Sequence, residues 1–256
     1  MKPKAGFYGI TGCAGCLLSV IFNEDELLSM ANALDIVSFP FIKEKNSEGK
    51  LDIVFIEGTV VSNNDIEVLR ELRERSKLVV ALGACACHGN IPALRNFANE
   101  EELDYLKYEK QGHIRDTGKP VPISSIIKVD YSLPGCPPDR DEIKIFIKDI
   151  LSGKVFRNYN DPVCRECRLF ENGCLLDYNR ICLGPITRGN CRAVCPTNGF
   201  ECYGCRGLTD DANFEEYFKL LEDKGISSAE VKKHMETFIG LELNEKLKGT
   251  KWEQLH

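Results

Sequence analysis

Apolar positions in the first 150 residues come in two alternating kinds of run. Lys4–Ile10, Ile36–Phe41, Ile53–Ile56, Leu78–Leu82 and Ile126–Leu133 are short blocks rich in β-branched residues. Continuous apolar runs of this length predict strands buried on both faces, as in parallel sheets. Between them the period changes. Leu17–Phe22 starts a helix. Ile66, Leu69 and Leu72 mark another, with Asn64 as its predicted N-cap and Glu67 three residues on as the partner in a capping box. Ile143, Phe146, Ile147 and Ile150 stand at i, i+3, i+4, i+7 and predict a helix that stops near Gly153. Strands alternating with helices predict an α/β domain over residues 1–153, built on a parallel sheet.

The pattern changes after Asn158, and residues 154–256 are expected to form a second, smaller domain. Asp161–Leu208 has few apolar runs, and prolines (Pro185, Pro196) interrupt it. On its own apolar surface it is expected not to order itself. Phe214, Tyr217, Phe218 and Leu221 form a helical stripe. Ser227 and Glu230 form a capping box before Val231, Met235, Phe238 and Ile239. Both predict helices that cover this segment or a partner. Leu241–His256 is weakly patterned and reads as a frayed or partner-binding tail.

Composition narrows the function. An apolar content of 43% in 256 residues supports a real core, and a net charge of −6 gives no case for nucleic-acid binding. The N-terminus has neither an apolar run of signal-peptide length nor twin arginines, and no apolar stretch reaches the ~18 residues of a membrane span. The expectation is a cytoplasmic protein without a membrane partner. Thirteen cysteines in such a chain favour metal sites or clusters over disulfides.

Those cysteines fall in two sets. Cys13, Cys16, Cys85 and Cys136 each follow a predicted strand end, where ligands of open α/β sheets bind. Four thiolates from three loops make the ligand count of a 4Fe-4S cluster. Glu57, after the third strand, is expected to reach the same edge. Other readings account for less. A flavin phosphate cradle would want a Ser/Thr-rich loop. A redox dithiol at Cys13 and Cys16 leaves Cys85 and Cys136 unexplained, and zinc rarely draws ligands from loops this scattered. Spacing alone does not choose between Cys85 and Cys87.

The second set, Cys164 to Cys205, reads C-x2-C-x6-C-x7-C-x8-C-x3-C-x6-C-x2-C. Eight ligands make two four-thiolate sites, whose binding would supply the missing stability. The simplest split is by neighbourhood; crossed ligation is the rival. Seven arginines and no lysine between Arg157 and Arg206 suit negatively charged clusters. None of His88, His113, His234 and His256 sits at ligand spacing, and no nucleophile–base constellation is present.

The motifs Gly12-Cys13-Ala14-Gly15-Cys16, Glu57-Gly58, Gly83-Ala84-Cys85-Ala86 and Gly135-Cys136-Pro137-Pro138, with the cysteine array, resemble the small subunit of nickel-iron hydrogenases. The C-x2-C at 13–16, in place of adjacent cysteines, separates the chain from the related subunit of respiratory complex I. The resemblance implies a flavodoxin-like domain holding a proximal 4Fe-4S cluster through Cys13, Cys16, Cys85 and Cys136, and so selects Cys85 over Cys87. It implies a medial cluster on Cys191, Cys195, Cys202 and Cys205, and a distal one on Cys164, Cys167, Cys174 and Cys182. Many members have His at the position of Cys164 and Pro at that of Cys195. Cysteine at both resembles the cytoplasmic, multimeric branch, above all the sulfhydrogenases, whose small subunit is called delta. That branch implies a nickel-iron large subunit and flavin- and iron-sulfur-containing diaphorase subunits as partners, with Glu57 close to the proximal cluster.

Overall fold

The computed structural model describes residues 2–22, 32–99 and 118–253; His113, His256 and the last part of the tail lie outside them. The chain divides into two compact units, Met1–Arg157 and Asn158–His256.

In the first unit, strands β1 (Lys4–Gly9), β2 (Asp35–Ser38), β3 (Leu51–Glu57), β4 (Ser76–Leu82) and β5 (Tyr131–Leu133) form one parallel sheet in the order β2-β1-β3-β4-β5. This is the doubly wound flavodoxin-like order, with its switch point between β1 and β3. The register aligns Gly9 with Glu57, Glu57 with Leu82 and Leu82 with Leu133. Four strands therefore end at one level, and the loops that follow start from a common edge.

Helices cover both faces. On one, α1 (Gly15–Ile21) and α4 (Arg140–Leu151) bury Leu17, Val20, Ile143, Phe146 and Ile147 against Phe7, Phe39 and Phe55. Phe7 stacks on Phe39 and Phe55 at 4.9 and 4.7 Å between ring centroids. On the other, α2 (Asn63–Arg75) buries Leu69 and Leu72 against Val54, Ile56 and Val79. A short helix α3 (Gly83–His88) follows β4 directly.

Two expectations for this unit are corrected. The N-cap of α2 is Ser62, not Asn64, and its capping-box partner is Asp65, not Glu67; Ser62 has the extended backbone a cap requires, while Asn63 and Asn64 are already helical. The last strand occupies only Tyr131–Leu133, because Ile126 ends the 3-10 turn Ile123–Ser125 in helical backbone and Ile126, Ile127 and Val129 pack into the core instead of extending the strand. Apolar density there marks core packing, not extension.

The second unit starts with α5 (Val163–Leu169) and a 3-10 turn at Leu175–Tyr178, passes through the short α6 (Val194–Thr197), and ends with α7 (Phe214–Asp223) and α8 (Ser228–Leu247). Isolated bridges Pro162–Arg188 and Thr187–Leu208 tie the irregular segment together. Contrary to expectation, this segment shares a continuous apolar core. Val163, Leu176, Leu183, Ile186 and Leu208 pack with Tyr217, Phe218, Leu221, Met235 and Ile239 of α7 and α8. Counting apolar residues only up to Leu208 misses what the helices supply. The tail is corrected too: Leu243, Leu247 and Trp252 are buried in the same core, and Trp252 stacks on Phe218 at 5.0 Å.

Candidate iron-sulfur sites

Cys13 sits on the turn between β1 and α1, Cys16 in the first turn of α1, Cys85 in α3 after β4, and Cys136 in the loop after β5. Cross-loop hydrogen bonds hold the edge together. Thr59 N–H donates to Thr11 O, and Ala84 N–H donates to Gly135 O, both at 2.8 Å. The approach of the loops is close. A Cβ on Gly83 would lie 2.2 Å from Cys16 Sγ, and Gly83 has φ +90°, so only glycine serves there. Burial pushes the Cys16 thiol up, and Glu57, Cys85, Cys136 and Cys13 add to the shift through their charge. The four cysteines therefore share one electrostatic environment.

Glu57 is 3% exposed. Its Oε2 accepts from Cys16 N–H at 2.9 Å and Leu17 N–H at 3.1 Å, satisfying amides that the start of α1 leaves without a helical partner. Cys87, two residues beyond Cys85, turns elsewhere. It packs against the core on the α2 side and its thiol meets Ala81 O at 3.6 Å. The structure thus brings Cys85, and not Cys87, to the edge.

Asn90 was missed in the sequence. Its amide Nδ2 donates to Cys85 Sγ at 3.2 Å and to Cys136 Sγ at 3.8 Å. The only sequence signal was its place five residues after Cys85. Burial raises the pKa of both thiols, and the Asn90 amide opposes that rise in each.

In the second unit, Cys164 and Cys167 stand on α5, Cys174 is the N-cap of the 3-10 turn, and Cys182 lies in the irregular stretch that follows it. Burial pushes the Cys164 thiol up to about 12, with Cys182, Cys167 and Cys174 contributing charge and Arg168 opposing them. A Cβ on Gly184 would lie 3.2 Å from Cys164 Sγ and 3.6 Å from Cys182 Sγ. These four thiols therefore gather around one locus.

The remaining four are held differently. Cys202 is deeply buried, its thiol pushed up by burial and by Cys205. Cys191 is raised by burial and by Glu166, and drawn back by Arg206. Arg206, next to Cys205 in sequence and 2% exposed, donates through Nε to Gly189 O, which ties the Cys205 turn to the loop of Cys191. Cys195 lies in the first turn of α6. Glu166, also missed in the sequence, projects from α5 between Cys164 and Cys167. Its carboxylate accepts from the N–H groups of Asn190 (2.7 Å), Cys191 (3.2 Å) and Ala193 (3.3 Å).

The arginines divide their work. Arg165, Arg180 and Arg188 pair with Asp161, Glu201 and Asp210, whereas Arg168 and Arg206 act on thiols.

All thirteen cysteines are thiols, with no disulfide among the described residues. Among those residues no three of His, Cys, Asp and Glu close on a point as ligands of one metal ion would. A four-iron cluster does not ask for that, because each thiolate binds its own iron. Burial and mutual repulsion raise these thiols, and the iron ions of a bound cluster would offset both by stabilising the thiolate form. The donor sets fit such a group.

A sheet edge of four convergent thiols on a flavodoxin-like unit, followed by a compact eight-cysteine unit, places the chain in the class of hydrogenase small subunits. The family model described as NADH ubiquinone oxidoreductase, 20 Kd subunit, matches residues 13–150. Sulfhydrogenase 2 subunit delta of Pyrococcus furiosus is 37% identical over 238 residues, covering 92% of this chain and 98% of that one. A subunit of the vhu F420-non-reducing hydrogenase of Methanocaldococcus jannaschii is 35% identical over 240 residues, covering 82% and 83%. A chain of an NAD+-reducing NiFe-hydrogenase crystallised in the H2-reduced state superposes with a TM-score of 0.54 at 32% identity, covering 60% of this chain and 94% of that one. The chain belongs to the 20 Kd subunit family, and within it to the nickel-iron hydrogenase small subunits. No helix among the described residues is long and apolar enough to cross a membrane.

Proposed function

We propose that this chain is the electron-transfer small subunit of a cytoplasmic nickel-iron hydrogenase and holds three 4Fe-4S clusters. Cys13, Cys16, Cys85 and Cys136 would hold the proximal cluster in the first domain. Cys191, Cys195, Cys202 and Cys205 would hold the medial one, and Cys164, Cys167, Cys174 and Cys182 the distal one, in the second. The observation that carries the reading is the convergence of Cys13, Cys16, Cys85 and Cys136 at one sheet edge, beside an array that supplies eight further thiols.

Each bound cluster supplies a one-electron couple. The chain's own residues set its working range through burial, hydrogen bonds to sulfur and nearby charge. Glu57 orients the Cys16 turn, and Asn90, Glu166, Arg168 and Arg206 place donors or charge beside the thiols. No residue of the chain is assigned to hydrogen cleavage, which belongs to the nickel-iron large subunit. Electrons pass between that subunit and a diaphorase of flavin- and iron-sulfur-containing subunits, with NADP or polysulfide as terminal acceptor. A second reading of the acceptor side is a heterodisulfide-linked partner or a deazaflavin-linked one; similarity to the vhu F420-non-reducing hydrogenase speaks for the first of these, F420 being itself a deazaflavin.

Oxygen-free purification tests both. The expected result is co-purification of a nickel-containing subunit, dye-linked hydrogen oxidation, and about twelve irons in this chain, four per cluster. About four irons together with zinc would overturn the three-cluster reading. The identity of the other co-purifying subunits decides between the acceptors.

A further inference from the structure

Asn90 holds a backbone conformation that costs energy. Its φ is 50° and its ψ −148°, well away from the left-handed helical basin where asparagine is tolerated and close to a region that is essentially glycine's. Gly89, just before it, has φ 85°. Thr59, itself fully buried, locks the pair by donating its hydroxyl to Gly89 O at 3.1 Å. Glycine at position 90 would adopt this conformation without strain. Asparagine needs another reason to stand there.

Capping is not the reason. Asn90 precedes the 3-10 helix Ile91–Asn96, yet its side chain makes no capping hydrogen bond. Nor is it a solvated surface group, being 2% exposed. Its Oδ1 meets no donor among the described residues. What the side chain does is span two loops, giving Nδ2 to Cys85 Sγ after β4 and to Cys136 Sγ after β5. A donor aimed at a thiolate stabilises the more negative, reduced state of a cluster and raises its potential.

We propose that Asn90 is a positioning residue for the proximal site, whose buried amide bridges the thiolates of Cys85 and Cys136 and holds the cluster's potential up. The inference rests on the reading of Cys13, Cys16, Cys85 and Cys136 as ligands of a four-iron cluster. It accounts for the strain: the backbone cost at position 90 is the cost of delivering one amide to two sulfurs from a site sealed off from water.

The test uses the full-length chain purified without oxygen, with its co-purifying subunits. Potentiometric titration is followed by electron paramagnetic resonance, the proximal signal being the one perturbed by Cys136→Ser. Asn90→Gly removes the donor and relieves the backbone, so the variant should melt no lower than the wild type. Its proximal cluster should be harder to reduce, with the oxidised-to-reduced ratio at fixed potential rising on the order of tenfold, about 59 mV for a one-electron couple. Asn90→Asp, which presents oxygen lone pairs to sulfur, should shift it in the same direction. In the wild-type protein, nitrogen-15 in asparagine should couple to the proximal signal, and Asn90→Gly should abolish that coupling. An unshifted proximal potential in both variants, or no asparagine coupling in the wild type, overturns the role of Asn90 and leaves the cluster reading standing. If Cys136→Ser changes neither the iron content nor any signal, the cluster reading fails and the inference fails with it.

Discussion

The hydroxyl of Thr11 donates to Oδ2 of Asp65 at 2.9 Å across 54 residues of sequence. The same oxygen accepts from Val61 N–H at 3.0 Å and Ser62 N–H at 2.9 Å, while Ser62 Oγ accepts in turn from Asp65 N–H. One carboxylate thus closes the capping box of α2 and anchors the turn that leads into Cys13. A device that starts a helix also fixes a candidate ligand loop.

Asp65 makes this anchor sensitive to acid. Burial raises its pKa, but the N–H groups of Val61 and Ser62 and the hydroxyls of Thr11 and Ser62 outweigh burial and hold it below the usual carboxylate range. A depressed folded-state pKa means the contribution is fully present above the unfolded value of about 3.9 and is lost as pH falls through the folded one. Asp65→Asn should cost about 1–2 kcal/mol near neutrality, and the difference from wild type should vanish in strong acid. Denaturant unfolding across pH 2–7 checks this; equal stability at pH 7 would contradict the role given to Asp65.

Glu166 should matter more than its exposed helix suggests. Three amides of the 190–193 loop depend on its carboxylate, and Asn190, Arg192 and Ala193 in that loop all have positive φ. A loop bent this way holds only when its surroundings over-determine it. Glu166→Ala leaves those donors without their acceptor and should cost about 2–4 kcal/mol, with loss of roughly four irons from the Cys191 site. Glu166→Gln, which keeps one carbonyl acceptor, should lose less. Iron content and thermal melting of the two variants separate these outcomes; full iron in Glu166→Ala would rule out an anchoring role.

Cys195 stands in the first turn of α6, where backbone N–H groups have no partner within the helix and proline is tolerated. Cys195→Pro should therefore fold and should change only the cluster. The expected product is a three-iron medial cluster, with about eleven irons per chain in place of about twelve and the signal of an oxidised three-iron cluster by electron paramagnetic resonance. Twelve irons and an unchanged spectrum would show that Cys195 is not a ligand.

Much of this was legible beforehand, for identifiable reasons. The strands carry apolar residues at successive positions because both sheet faces are covered, so β3 and β4 stand out in the chain. The candidate ligand loops show because cysteines beside glycine turns follow those strands. Asn90 and Glu166 did not show. Each acts through contacts created by the fold, and neither residue type carries a spacing rule of its own. The Asn64 cap was misplaced because Ser62, Asn63 and Asn64 are all good capping residues, and backbone conformation, not composition, selects among them. The tail was misjudged because α8 packs along a face that includes Gly240 and Lys232 as well as Val231, Met235 and Leu243, which blurs the apolar period.

Trp252 offers the sharpest test of how the cysteine-rich unit is held. It is the chain's single tryptophan, is 5% exposed, and lies nearly parallel to Phe218 of α7, with an interplanar angle of 15°. Leu247 and Leu243 share its core, and that core reaches Leu183 and Ile186 between the cysteines. Removing a buried indole leaves a large cavity and should cost about 3–5 kcal/mol; Trp252→Phe keeps an aromatic ring against Phe218 and should cost less. Because the core is shared, the loss should appear as weaker iron retention in the second unit as well as a lower denaturant midpoint. Unfolding can be followed through the iron-sulfur absorbance in both variants, and a midpoint unchanged in Trp252→Ala would return the end of the chain to the status of a loose tail.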